Sequence, residues 1–451
     1  MEEKQNAALG TAPLGKLMVK FALPCTISLL VGALYNIVDQ IFIGWGVGYL
    51  GNGATNVVFP LTVLALGLAV MIGDGACSYV SICFGKNRQE DADCAVGSAV
   101  TLSVLVGVLV AGFYAVFQMP ILLLFGATEA NLAYAKEYFT YITVGIPIYV
   151  FGQAINPIIR SDGSPRFAMA SMLAGAIANC ILDPIAIFVL RWGVMGAGLA
   201  TLISRSVGAY ITQRALRDPH CRIPYPGMFP FEWHPSEVKK ILSVGIPSGF
   251  ENGLFQLGKL LLLSMIATFG TASTAANAVG NTLGSFQCLP GNAIGLAMIA
   301  VVGQCCGAHA YDQAKFYTKK LMQIVYLCMG TLNILMLLCN PIITLPFNLS
   351  PEATVLARQI VALHGAGCVI FWPMSFTMPN ALRAAGDAKY TMTLAVFSMA
   401  VFRIGFGVFL ATTMGMGVIG VWIAMQIDWV FRIICFLIRW HSGKWQTKTL
   451  V

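Results

Sequence analysis

Charge is scarce in this chain. Asp, Glu, Lys and Arg make up 10% of its 451 residues, against roughly 25% in an ordinary soluble domain. Hydrophobic residues account for 57%, and the mean hydropathy is +0.77. That balance excludes a soluble globular protein of this length. Histidine is scarcer still, with five residues mostly near loops. No HExxH, GxSxG or clustered-histidine pattern occurs, so an enzyme is not expected. No Walker motif occurs, which excludes an ATP-driven pump within this chain. Met1 to Gly15 lacks the charged-then-apolar-then-small order of a cleaved signal, so the first apolar run is expected as a mature helix. The thirteen cysteines lie mostly in apolar runs without ligand-like spacing, and Cys305 and Cys306 are adjacent. Apolar packing is their expected role.

What is present is length of apolar run. Twelve stretches, near 17–43, 55–83, 94–118, 136–158, 167–190, 194–214, 240–267, 274–304, 318–340, 357–381, 390–412 and 416–438, are each long enough for a membrane helix. Barrel strands would instead alternate over about ten residues. Lys and Arg are unevenly shared among the connections. With the N-terminus inside, the inner segments hold 20 of the 27, among them Lys16, Lys86, Arg160, Lys240, Arg383 and Lys389. The outer loops hold Lys136, Arg191 and Arg358. This bias predicts a multi-pass protein of the cell (inner) membrane with both termini cytoplasmic. The net charge of +8 is then a topology signal, and no nucleic-acid partner is expected.

The two halves of the sequence repeat. At an offset of 223, Ala22-Leu23-Pro24 meets Gly245-Ile246-Pro247, and Ile159-Arg160-Ser161-Asp162-Gly163 meets Leu382-Arg383-Ala384-Ala385-Gly386. At 222, Gly85 meets Gly307; at 224, Gly193, Gly196 and Ala200 meet Gly417, Gly420 and Ala424. The expected fold is an all-α integral membrane protein, with twelve transmembrane helices in two pseudo-symmetric six-helix lobes. The N-lobe is 1–214, a proline-rich cytoplasmic linker is 215–239, and the C-lobe is 240–451. An even number of spans per unit gives both copies the same orientation, as in parallel transporter repeats with a cleft between them that opens alternately to each side.

Against this apolar background stand Asp39 and Asp183. A carboxylate at membrane depth is costly and is rarely left there without a partner or a role. Tyr35 and Asp39 share a helix face at i,i+4, and so do Asn179 and Asp183. Asp39 lies about 28 Å of helical rise beyond Lys20, and Asp183 about 25 Å beyond Arg166, so the two acids can meet at one level. Pro184 leaves the Cys180 carbonyl without its helical donor and predicts a bend beside Asp183. Burial and a neighbouring like charge both favour the neutral acid, so one member of such a pair can load and release a proton. Free backbone oxygens beside carboxylates also suit Na⁺. The plainer reading is that the acids only hydrogen-bond Tyr35 and Asn179 to lock helices together.

Tyr35-Asn36-Ile37-Val38-Asp39, the run from Gly73-Asp74-Gly75 to Gly85-Lys86, and Arg160-Ser161-Asp162-Gly163 resemble the multidrug and toxic compound extrusion (MATE) family. Asn179-Cys180-Ile181-Leu182-Asp183-Pro184 and Gly193-Val194-Met195-Gly196-Ala197 add to the resemblance, which covers essentially the whole chain and is nearest the bacterial DinF/MepA-like branch. It implies a V-shaped pair of lobes and secondary active efflux of organic, often cationic, compounds by antiport with H⁺ or Na⁺. It implies no cofactor beyond that ion, and a monomer among membrane lipids. It also brings a fourth-span tyrosine and a sixth-span threonine to the site, which Tyr138 and Thr201 match. Na⁺ would then sit at Asp39, Asn179 and Asp183. The alternative is a flippase for a lipid-linked saccharide or lipid, which calls for a more cationic centre than about four intramembrane bases supply.

The second copy lacks the acids, because Leu262 and Phe406 stand at the positions of Asp39 and Asp183. Glu251, one turn after Pro247, is the C-lobe candidate for a substrate cleft, or else an ion pair with Arg403 or Lys259. Asp74, between two glycines, either lines the cleft or hydrogen-bonds in a tight helix crossing. Asp428 and Arg432, at i,i+4, are expected to pair.

Overall fold

A computed structural model describes residues 14–218, 231–347 and 349–447. Most of the proline-rich linker, 219–230, and the chain ends lie outside the described residues. Every regular element among the described residues is helical. The twelve main helices are α1 (Leu14–Gly46), α2 (Tyr49–Gly85), α3 (Gln89–Val116), α4 (Leu132–Ser161), α5 (Pro165–Pro184) and α6 (Gly193–Leu216). They continue with α7 (Pro235–Ala267), α8 (Thr271–Gln287, resumed after Cys288 as Leu289–Gly307), α9 (Tyr311–Leu338), α10 (Pro351–Ile370), α11 (Ala388–Ser398) and α12 (Gly417–His441). Ten of the described helices are long and apolar enough to cross a membrane. Among the described helices, α7, 33 residues long, lies outside that set. In α7 the polar side chains of Glu251, Asn252, Gln256 and Lys259 dilute an otherwise apolar run.

Packing divides the chain into two units, Lys16–Gly249 and the part from Phe250 onward, with the border inside α7. In the first unit α4 is central and packs on α2, α3 and α6, while α5 packs on α6. In the second, α10 packs on the first part of α8 and on α9 and α12, while α11 and its continuation pack on α12. Apolar side chains fill both interiors, with Phe139, Phe151, Ile72 and Leu61 in one and Trp429 and Phe436 in the other.

The duplication is written into the backbone. Left-handed residues recur in pairs: Gly48 and Gly270, Asn87 and His309, Gly163 and Gly386, Arg191 and Gly415, Gly193 and Gly417. Their separations are the 222, 223 and 224 of the sequence repeat. After α5 the helix widens into a π turn, Ile185–Val189, and its counterpart Phe409–Thr413 follows at an offset of 224. Both turns end alike, because Trp192 N–H donates to Ala186 O and Met416 N–H to Leu410 O. A glycine closes each arrangement. A Cβ on Gly196 would lie 3.0 Å from Ala186 C, and one on Gly420 would lie 2.8 Å from Leu410 C. Only a missing side chain lets the next helix approach the turn so closely.

Close crossings also hold α7 to α2 within the first unit. A Cβ on Gly75 would meet Ile241 O at 2.3 Å, and one on Gly245 would meet Met71 O at the same distance. Lys240 Nζ donates to Tyr79 OH at 2.9 Å and pairs with Glu237 at 3.0 Å. Small residues at such contacts replace the hydrophobic drive that apolar solvent removes between membrane helices.

Candidate functional site

Four helices of the first unit, α1, α4, α5 and α6, bring one polar cluster together. Asp183 on α5 is fully buried and Asp39 on α1 nearly so, at 0% and 8% exposure. Their carboxyl groups face each other within hydrogen-bonding reach. Asn179, one turn before Asp183, donates its amide to Asp183 Oδ1 at 3.4 Å. Tyr35 lies within electrostatic reach of both acids and of Tyr138. Tyr138 on α4 is buried with its phenol beside the Thr201 hydroxyl on α6. All six residues that motif and spacing single out for the N-lobe therefore converge on one place. Immediately after Pro184 the α-helical ladder gives way to the π turn at Ile185–Val189. π turns accumulate at functional sites because they redirect side chains and free backbone carbonyls.

Two acceptor oxygens in the cluster, Asp183 Oδ2 and Asn179 Oδ1, are buried and receive no hydrogen bond from any described residue. An unmet buried acceptor costs about 1–3 kcal/mol. Together with the facing carboxyl of Asp39 they form a cluster of acceptor oxygens. That donor set of hard oxygens fits a proton or a small monovalent cation.

Arg205 is the member that sequence reasoning missed. It follows Thr201 by one turn on α6, within electrostatic reach of Tyr35 and Tyr138. Its guanidinium lies over the Tyr149 ring, 4.1 Å from the centroid, and its Nη1 has no hydrogen-bond acceptor among the described residues. The i,i+4 rule links Arg205 to Thr201, and that was the available signal.

The two cleft candidates have other partners. Asp74 accepts a hydrogen bond from Ser248 on α7 at 3.1 Å, beside the Gly75/Gly245 crossing. Glu251 pairs with Arg383 at 2.7 Å. The expected partners were Arg403 and Lys259, and the structure corrects both: Arg383 follows a π turn at Pro373–Thr377 beyond α10, which reading the sequence in straight helices did not place near α7. Asp428 pairs with Arg432 at 3.0 Å as its spacing predicts, and it adds Arg403 at 3.8 Å and the Ser398 hydroxyl. Leu262, at the repeat position of Asp39, contacts Gly407, at that of Pro184; a Cβ there would sit 3.4 Å from Leu262 Cδ2. The second unit thus has apolar side chains at the repeat positions of both acids.

A duplicated all-helical unit with apolar spans and one buried carboxylate cluster defines a multi-pass membrane transporter. The family profile MatE matches this chain twice, over residues 24–185 and 247–409, the two starts separated by the repeat offset of 223. The chain belongs to the MatE family. It is 26% identical to the probable multidrug resistance protein NorM of Thermotoga maritima over 447 residues, covering 97% of this chain and 94% of that one. The multidrug export protein MepA of Staphylococcus aureus is 21% identical over 415 residues, covering 89% and 88%. A crystal structure of MATE in complex with MaD3S superposes with a TM-score of 0.90 at 24% identity, over 98% of this chain and 99% of the other.

Proposed function

We propose that this protein is a secondary active exporter of organic, often cationic, compounds, driven by a monovalent cation, H⁺ or Na⁺, bound at Asp39 and Asp183. The observation that carries the reading is the facing carboxylate pair with unmet acceptors at Asp183 and Asn179, buried in the first unit. The names of NorM and MepA support the class of cargo.

Charge balance supplies the mechanism. Two ionised carboxylates and Arg205 sum to one negative charge. A single H⁺ or Na⁺ brings the cluster to neutrality, the inexpensive state in hydrocarbon, where each unbalanced acid costs on the order of 3 kcal/mol. The empty cluster stabilises whichever helix arrangement exposes the acids to water, and the loaded cluster stabilises the closed one. A bound ion shifts such an equilibrium only through different affinities for the two arrangements. The junction of Pro184 and the π turn is where α5 can change its course without breaking an α-helical ladder.

The test is efflux of a fluorescent organic cation from proteoliposomes, with a pH gradient and a Na⁺ gradient imposed separately and Asp39→Asn run in parallel. Efflux driven by one gradient and lost in the variant supports the assignment and names the ion. Gradient-driven efflux that survives in Asp39→Asn overturns it.

A further inference from the structure

We infer that the second unit contains a binding site for a thiophilic d¹⁰ metal ion, formed by Cys288, His364 and Cys368, with Cu(I) as the ion it fits best. Cys288 sits at the break in α8, while His364 and Cys368 are one turn apart on α10. One ligand atom from each lies within 4.8 Å of the other two. The sulfurs are 3.7 Å apart, and Cys368 Sγ is 3.9 Å from His364 Nε2.

Those edges are what a metal needs. Metal–sulfur bonds of about 2.3 Å and a metal–nitrogen bond of about 2.0 Å set tetrahedral S···S and S···N edges of about 3.8 and 3.6 Å. Trigonal coordination with the same bonds lengthens them to about 4.0 and 3.8 Å. The Cys288–Cys368 and Cys368–His364 edges fall on or close to both sets, and the Cys288–His364 edge is within 4.8 Å. No helical movement is needed to admit an ion.

The surroundings orient the imidazole as metal sites do. His364 Nδ1 is hydrogen-bonded to Gln287 Oε1, and Gln287 Nε2 donates to Val361 O at 3.3 Å, which fixes the amide with its oxygen toward the ring. Nδ1 therefore carries the proton and Nε2 keeps its lone pair, with Cys368 Sγ 3.6 Å from the one and 3.9 Å from the other. This outer hydrogen bond is the usual companion of a metal-bound histidine. Trp422 and Trp429 meet the ring edge-on, with centroids 5.4 and 5.5 Å away. Gly284 leaves the room it occupies, since a Cβ there would come within 3.1 Å of His364 Cε1. Gln287 and Cys368 are fully buried and His364 nearly so.

Ligand chemistry selects the ion. Two thiolates and an imidazole are soft donors, and no carboxylate belongs to the group, so hard cations are disfavoured. Three protein ligands, His364 and Cys368 buried and Cys288 half-buried, satisfy Cu(I), whereas structural Zn(II) takes four. A Cu(I) dithiolate carries one negative charge, and Lys259 and Arg403 are within electrostatic reach of Cys288. On binding, each thiol loses its proton to solvent and the metal keeps its oxidation state.

The test uses the reduced full-length protein, loaded anaerobically with Cu(I) or with Zn(II), desalted, and assayed for metal by mass spectrometry. The expected result is one Cu per chain, with X-ray absorption showing two sulfurs at about 2.3 Å and one nitrogen. Cys288→Ser/Cys368→Ser should lose the copper, and Gln287→Leu should weaken retention about 10- to 100-fold. Copper retained equally by wild type and the double variant overturns the proposal. So does retention of Zn(II) with Cu(I) rejected, or a Cys288–Cys368 disulfide that resists reduction in the folded protein. The wild-type absorption spectrum decides the matter even if a variant fails to fold.

Discussion

Arg205 lies over the Tyr149 ring, 4.1 Å from its centroid, and holds a fixed positive charge within reach of Tyr35 and Tyr138. A cation–π contact of this kind in a desolvated site contributes about 2 kcal/mol. It positions the guanidinium beside the two phenols that themselves lie within reach of the acids. The charge count of the proposed coupling site depends on it.

Arg205→Gln should therefore change stoichiometry as well as rate. With the fixed charge gone, two ionised acids require two monovalent cations for neutrality. Steepness of transport against cation concentration should rise from one toward two, measured as initial efflux rates in proteoliposomes. An unchanged steepness with a normal rate would remove Arg205 from the charge balance.

Asp183→Asn should leave the fold intact while removing ion-dependent stabilisation. A bound ligand at 100 times its Kd stabilises the folded state by about 2.7 kcal/mol. If Na⁺ is the ion, it raises the wild-type melting temperature and leaves that of Asp183→Asn unmoved. If H⁺ is the ion, Na⁺ moves neither, and acidification raises only the wild type. The readout is thermal denaturation in detergent followed by size-exclusion fluorescence.

Asp428 is fully buried between Arg432 and Arg403. Asp428→Asn strands two guanidinium groups and should destabilise the second unit by about 3–5 kcal/mol. Adding Arg432→Met should recover part of that loss, because one stranded charge is removed and its methylenes are kept. A single variant as stable as the wild type would show that the network carries little free energy.

The α2–α7 crossing predicts a contrast between two glycines. Gly75→Leu drives a side chain into Ile241 O and Gly245 and should cost about 1–3 kcal/mol through overpacking. Gly112→Leu, where a Cβ meets nothing within 4 Å, should be neutral or slightly stabilising. Melting temperatures of the two purified variants check the difference.

Much of this was legible in the linear chain. Periodic register alone related Gly193 to Gly417 and Gly196 to Gly420, and the backbone repeats both the left-handed φ and the close contact. Rise per residue placed Asp39 and Asp183 at one level, because helical geometry converts spacing into height. Arg205 escaped notice because height does not say which face of α6 turns toward the acids. Glu251 was given the wrong partners because a π turn after α10 rotates Arg383 relative to a straight helix.

The sequence by itself determined the membrane-helix class, the two-copy register and the presence of an acid pair in one copy only. Hydropathy, helical rise and internal identity are local or one-dimensional properties, so they survive without coordinates. Tertiary structure alone decided that Arg205 joins Tyr35 and Tyr138, that Arg383 meets Glu251, and that Cys288 meets Cys368 across 80 residues. Those meetings depend on the rotation of each helix about its axis and on the break in α8. Both are set by packing against neighbours far away in the chain, which no window of sequence contains.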